Sequence, residues 1–205
     1  MTVVLNDGWI PDRLSGRRFL WWEPKRFFPV CDHSTKPPRK AGAAAGASRP
    51  ETSMAFQVFS SAFSDGGWIP DLHTCQGADV SPSLEWSGEP AESRSYALIL
   101  DDPDAPMGNW NHWLVYDIAS KTHNLPQGYK PGGIGLSGLN SWDRPGYGGP
   151  CPPRGRGPHR YFFRLSALDV ETLGLTAGAR REALERAMKG HVLAEAQCMG
   201  RYERR

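Results

Sequence analysis

The 205-residue chain has no apolar run approaching the length of a membrane-spanning helix. It also has no C-x-x-C pair, no Cys/His cluster, no H-E-x-x-H and no G-x-x-x-x-G-K-[ST]. These absences leave no zinc-ribbon, zincin or P-loop pattern to build on. The four cysteines, Cys31, Cys75, Cys151 and Cys198, stand far apart, which argues against a dense disulfide framework. Near the N-terminus, Asn6, Asp7, Pro11 and Asp12 break up any signal-peptide-like apolar stretch. The expectation is a cytoplasmic protein with reduced thiols, and no metal or cofactor.

Hydrophobic residues are scarce at 39%, whereas Gly (23) and Pro (18) are abundant. That balance favours strands and loops over a helix bundle. The net charge of +2 is unevenly placed. Residues 1–53 carry nine Lys/Arg against five Asp/Glu, and the remaining 15 basic residues are outnumbered by 17 acidic ones. The larger part of the chain therefore has no basic footprint for nucleic acid.

The pentapeptide GWIPD occurs at Gly8–Asp12 and again at Gly67–Asp71, but no pattern carries over beyond it. A match of five residues is too short to be a duplicated folding unit. Residues 1–53 combine a Pro-broken aromatic stretch, including Trp21, Trp22, Phe27 and Phe28, with a Pro/Gly/Ala-rich linker composition. They read as an extension, disordered or translated from upstream, whose removal is expected to leave the rest folded. Residues 54–205 read as the domain.

Within that domain, AFQVFSSAF, SYALILDD, HWLVYDI and HRYFFRLSAL are strand-like, and Gly/Pro/Asp clusters separate them. A helix is expected after Thr176 as N-cap, with Ala183, Leu184, Ala187 and Met188 as its apolar stripe and Gly190 closing it. LAEAQCMGRY then reads as a short final strand. The fold expected is mostly β and antiparallel, with the clearest helix near the C-terminus.

Two polar turn segments interrupt the core strands. In LILDDPDAPMGNWNHWLVY, Asp102 ends a buried strand and Asp104 sits on a corner stiffened by Pro103 and Pro106. His112 opens the next strand, so a carboxylate and an imidazole arrive from neighbouring strand ends. From Gly148 to Pro158, four glycines and four prolines make a bare, rigid loop whose N–H groups can face an anion. His159 and Tyr161 lie on one face of the following strand, and Arg160 on the other, where it suits a structural ion pair. Taken singly, each residue also has an ordinary role: aspartates before prolines cap turns, strand histidines are satisfied locally, and Cys151 has nothing nearby to activate it.

Together, DPDAP…NHWLVY and GGPCPPRGRGPHRYFF resemble the phosphatidylethanolamine-binding proteins, also called Raf kinase inhibitor-like proteins. The Cys-containing second segment and the ending AMKGHVLAEAQCMGRYER are similar to the bacterial and archaeal branch. The resemblance runs from about Ala55 to the C-terminus and makes the second GWIPD native to the domain, leaving the first as a coincidence or a scar of local duplication. It implies a β-sandwich or Greek-key-like fold with a small anion pocket at one end. Carried over residue by residue, that pocket is formed by Asp102, Asp104, Ala105, Pro106, Trp110 and His112, with Gly149, Pro152, His159 and Tyr161. Ser141 replaces an Asp found in many bacterial relatives, and Gly148 stands where animal members carry larger residues.

The implied ligand is a phosphate- or carboxylate-bearing small molecule or lipid headgroup. The implied role is regulation of a kinase or protease, by a homodimer. The competing reading is a hydrolase or metal-dependent enzyme using the same Asp/His set, with Ser137, Ser141 or Cys151 as nucleophile if the fold supplies a base.

Overall fold

In a computed structural model, which describes residues 55–205, eight strands and one helix follow in order. They are β1 (Gln57–Phe59), β2 (Leu84–Ser87), β3 (Ser95–Asp102), β4 (Trp110–Ala119), β5 (Asn124–Leu125), β6 (Leu136–Ser137), β7 (His159–Leu168), α1 (Arg181–Met188) and β8 (Val192–Tyr202). The extension over residues 1–53, with its Trp21–Phe28 stretch and the Gly8–Asp12 pentapeptide, lies outside the described residues.

The apolar run SYALILDD becomes β3, whose eight residues are all buried. A strand buried on both faces must sit at the centre of a covered sheet, and β3 is the middle of a five-stranded antiparallel sheet in the order β6-β4-β3-β7-β8. Alternation along it sends Tyr96, Leu98 and Leu100 to one face and Ala97 and Ile99 to the other. The first face packs with Phe163 and Leu165 against Val58, Leu84, Trp86 and Leu125 of a second sheet, β1-β2-β5. The other is closed by Leu184 and Met188 of α1. The fold is therefore mostly β, two antiparallel sheets with one short helix near the C-terminus.

The helix starts later than the sequence suggests. Arg180, in extended conformation and without a side-chain cap, precedes α1. Thr176 is instead held in the preceding loop, its carbonyl accepting the buried Tyr116 hydroxyl at 2.5 Å. The final strand falls where LAEAQCMGRY was expected and begins one residue earlier, at Val192, and its 11 residues pair along the whole of β7. Conversely, AFQVFSSAF gives only the three residues of β1.

The second GWIPD has a defined place. Ile69 donates its N–H to the Arg201 carbonyl (2.9 Å), and the Arg201 N–H reaches the Gly67 carbonyl (2.8 Å), so the segment covers part of the β8 edge. Ile69 is buried against Gly200, where a Cβ would come within 2.4 Å of the Ile69 side chain.

Candidate functional site

Antiparallel pairing of β3 with β7, in register up to Asp101 opposite Phe162, brings the end of one strand close to the start of the other. Asp102 and His159 meet there, Oδ2 to Nδ1 at 2.8 Å, both nearly excluded from solvent. The second carboxylate oxygen, Oδ1, accepts the Asp104 N–H at 2.9 Å. Both Asp102 oxygens thus act as acceptors, which makes His159 Nδ1 the protonated nitrogen.

His112 reaches the same end from β4 by a backbone irregularity. Leu100 pairs with Trp113 and Asp101 with Asn111, so His112 is the extra residue of a β-bulge. A bulge re-aims the side chain it carries. His112 Nδ1 lies 2.7 Å from the Gly148 carbonyl, and the Gly148 N–H returns a bond to the His112 carbonyl at 3.0 Å. A carbonyl only accepts, so here too Nδ1 carries the hydrogen. Burial holds the His112 pKa below the ordinary histidine range, opposed more weakly by the Gly148 contact and the negative charges of Asp102 and Asp79. The Tyr161 ring stands edge-on to His112, centroids 5.2 Å apart. Burial first, and then Asp102, drives the Tyr161 hydroxyl far above the usual phenol range, so it stays protonated.

The Gly/Pro loop forms the facing wall and is tied down at several points. Gly149 donates to Asp79 Oδ1 at 2.6 Å, Cys75 donates to the Pro150 carbonyl at 3.1 Å, and the Tyr147 hydroxyl reaches the His73 carbonyl at 2.6 Å. Gly149 tolerates no side chain, because a Cβ would lie 2.4 Å from the His73 carbonyl oxygen. At Gly148 the missing side chain leaves room for Trp142, whose ring would come within 2.7 Å of a Cβ. A Cys75–Cys151 disulfide completes the tie. This corrects the expectation of reduced thiols: 76 residues of sequence hide a pairing that the fold makes adjacent. Only Cys198 is a free thiol among the described residues.

These walls enclose a cavity of about 300 Å³. Of the residues expected there, Asp102, Ala105, Pro106, Trp110, His112, Pro152 and His159 line it. Tyr161 lies against His112, and Gly149 is engaged with Asp79 behind the wall. Asp104 turns away to Arg160, which grips it with two guanidinium bonds of 2.8 and 2.9 Å and one from its backbone N–H. That partner holds the Asp104 pKa below the usual carboxylate range. Arg160 itself is exposed, on the opposite strand face from buried His159 and Tyr161.

Met107, Trp142 and Pro153 also line the cavity and were missed by sequence reasoning, and Cys151, weighed there only as a thiol nucleophile, lines it too. Cys151 and Pro153 flank Pro152 and were legible as parts of one wall; Met107 and Trp142 carried no periodicity that marks them. Trp142 meets Trp110 and His112 edge-on at 5.4 and 5.0 Å, forming an aromatic side to the opening. Ser141 binds Asn111 on both sides, through its hydroxyl and its N–H, and Ser137 contacts Tyr129. With Cys151 in a disulfide, none of the three considered nucleophiles is paired with a histidine.

A β-sandwich carrying a small, mostly apolar cavity with a buried Asp/His floor defines a small-ligand-binding architecture. The family model described as phosphatidylethanolamine-binding protein matches residues 59–203, and the chain belongs to that family. A UPF0098 protein of Aquifex aeolicus is 49% identical over 151 residues, covering 72% of this chain and 88% of the relative. A UPF0098 protein of Methanothermobacter thermautotrophicus is 48% identical, with 70% and 95% covered. Among solved structures, the phosphatidylethanolamine-binding protein homolog CT736 of Chlamydia trachomatis matches with a TM-score of 0.68 and 42% identity, over 74% of this chain and 99% of that one. YbcL of E. coli, described as a new member of the mammalian PEBP family, matches at 0.69 and 32%, over 74% and 100%. Bacterial and archaeal relatives thus share the domain.

Proposed function

We propose that the cavity binds a small ligand through a phosphate or carboxylate group, free or as a lipid headgroup, and that its occupancy regulates a partner such as a kinase or protease. One observation carries this reading: buried hydrogen-bonding groups at and beside the cavity have no partner among the described residues. They are the buried Trp110 Nε1 and Tyr161 Oη, and they stand with His112 and His159, whose Nδ1 atoms are already engaged and whose Nε2 atoms are left over. Buried polar groups are normally satisfied, so a cluster of orphans beside a cavity points to a polar ligand. The test is thermal unfolding with and without phosphate or phosphoethanolamine. A ligand that binds only the folded state, at about 100 times its Kd, adds about 2.7 kcal/mol of stability and raises Tm; an unmoved Tm at saturating concentrations contradicts the reading.

The proposed assembly is a homodimer, the commonest symmetric oligomer, to be checked by sedimentation. Nucleic acid is not among the proposed partners. The cytoplasmic placement suggested by sequence rested on the broken N-terminal apolar stretch and the missing membrane-length run as well as on reduced thiols, and Cys75–Cys151 removes the last ground for two of the four cysteines.

A second reading rests on the Asp102–His159 pair. A carboxylate that accepts from Nδ1 leaves Nε2 as a proton acceptor, the arrangement of a general base. A hydrolase substrate panel separates the two readings: turnover abolished by His159→Ala favours an enzyme acting through activated water.

A further inference from the structure

We propose, resting on the reading above, that the cavity selects an oxyanion that brings its own proton, a hydrogen-bearing phosphoryl or carboxyl group, over an equally shaped anion that carries none.

The tautomers set this preference. His112 Nδ1–H is spent on the Gly148 carbonyl and His159 Nδ1–H on Asp102. In the neutral ring the remaining nitrogen is then a lone pair. The cavity therefore offers two acceptors at Nε2 and an unpartnered donor at Trp110 Nε1, with the Tyr161 hydroxyl behind His112 and close to Asp102. A fully deprotonated oxyanion has only lone pairs and meets the histidines acceptor to acceptor. A P–OH or C–OH donates to one Nε2 while another of its oxygens accepts from Trp110 Nε1. Two kinds of group on the protein thus match two kinds on the ligand.

Charge acts in the same direction. Among the described residues no Lys or Arg lines the cavity, whereas Asp102 does, and the nearby Arg160 is bonded to Asp104. The groups around His112 are Asp102 from β3, Asp79 from the loop before β2 and Tyr161 from β7, with the Gly148 and Gly149 carbonyls. His159 faces Asp102, with Asp104 and Arg160 alongside and Tyr202 opposite on β8. With both histidines neutral the site holds net negative charge, which a dianion without a proton meets as repulsion. Protonating a histidine converts its Nε2 to a donor and removes the preference. Burial works against that conversion at His112.

Inorganic phosphate and sulfate are tetrahedral anions of similar size, but near neutral pH phosphate keeps at least one proton and sulfate has none. The experiment titrates each into the full chain by calorimetry at about pH 7.5, well above the ordinary histidine pKa of about 6.5, and again about two units lower. The expected result is phosphate binding at least tenfold more tightly than sulfate at the higher pH. The gap should narrow at the lower pH, as histidine protonation turns acceptors into donors. In His159→Gln, an amide N–H can replace one of the two lone pairs, so the phosphate-to-sulfate ratio should fall, with the His112 acceptor keeping it above one.

Equal affinity for the two anions in the wild-type protein at about pH 7.5, or tighter sulfate binding, overturns the proton requirement while leaving an anion pocket in place. Absence of binding by either anion at both pH values overturns the pocket reading itself, and this inference with it.

Discussion

Asp102 and His159 are 57 residues apart in sequence and 2.8 Å apart in space, the end of one core strand bonded to the beginning of its neighbour. The pair links fold to site. Strand pairing that buries Leu100 and Phe163 also delivers a carboxylate and an imidazole to the rim of the sandwich. Disturbing the sheet and disturbing the pocket are therefore coupled.

Stability should depend on pH through His112. Its pKa in the folded protein is lowered, chiefly by burial, so the unfolded chain takes up a proton first as the pH falls. Stability should decline as pH drops through the ordinary histidine range of about 6.5 and level off below the lowered folded value. Urea unfolding between about pH 7.5 and pH 5 measures this slope. His112→Asn, which keeps a donor for the Gly148 carbonyl but cannot titrate, should flatten it.

Asp104 acts in the same direction, over a more acidic range. Its pKa is lowered mainly by the Arg160 hydrogen bonds, so its contribution is present above the ordinary carboxylate range and is lost as pH falls through its lowered value. Arg160→Ala should remove this acid-range component; because the ion pair is exposed, the effect at neutral pH should be small. The comparison of acid unfolding curves for the two proteins checks it.

The Cys75–Cys151 bond closes a loop of 76 residues and pins the Gly/Pro wall. Its loss in Cys151→Ser should cost about 2–4 kcal/mol by constraint of the unfolded chain. Ligand affinity should also fall, because Cys151 is part of the cavity wall. Denaturant unfolding of the oxidised wild type and the variant gives the first number, and calorimetry the second.

Gly149→Ala tests how tightly that wall is seated. The added methyl would meet the His73 carbonyl and Asp79 Oδ1, at 2.4 and 2.5 Å, and the first of these is backbone that cannot swing aside. Overpacking of this kind typically costs about 1–3 kcal/mol. A variant as stable as wild type, by urea unfolding, would show that the 148–153 wall gives way freely.

Much of the frame was legible because it follows from local pattern. β3, β4 and β7 were visible as apolar and aromatic runs between turn clusters, and Arg160 could be set on the opposite face from Tyr161 by alternation alone. What was illegible depends on distant partners. The bulge at His112 exists only in the register between β3 and β4, and the disulfide only once two loops meet. Thr176 has the chemistry of a helix cap, but its carbonyl is taken by Tyr116 from 60 positions away. Asp104 has the sequence setting of a pocket residue, yet Arg160 claims it. Met107 and Trp142 are recruited to the opening by position alone.

The most direct test of the pocket is a calorimetric titration of phosphate into wild type, His159→Ala and Arg160→Ala, each first shown to be folded. Loss of one charge-assisted hydrogen bond typically costs about 1.5–3 kcal/mol, so His159→Ala should bind about ten- to a hundredfold more weakly. Arg160, exposed and turned to Asp104, should leave affinity almost unchanged. Wild-type affinity retained in His159→Ala, with a large loss in Arg160→Ala, would contradict the assignment of the site to the Asp102–His159 end of the sandwich.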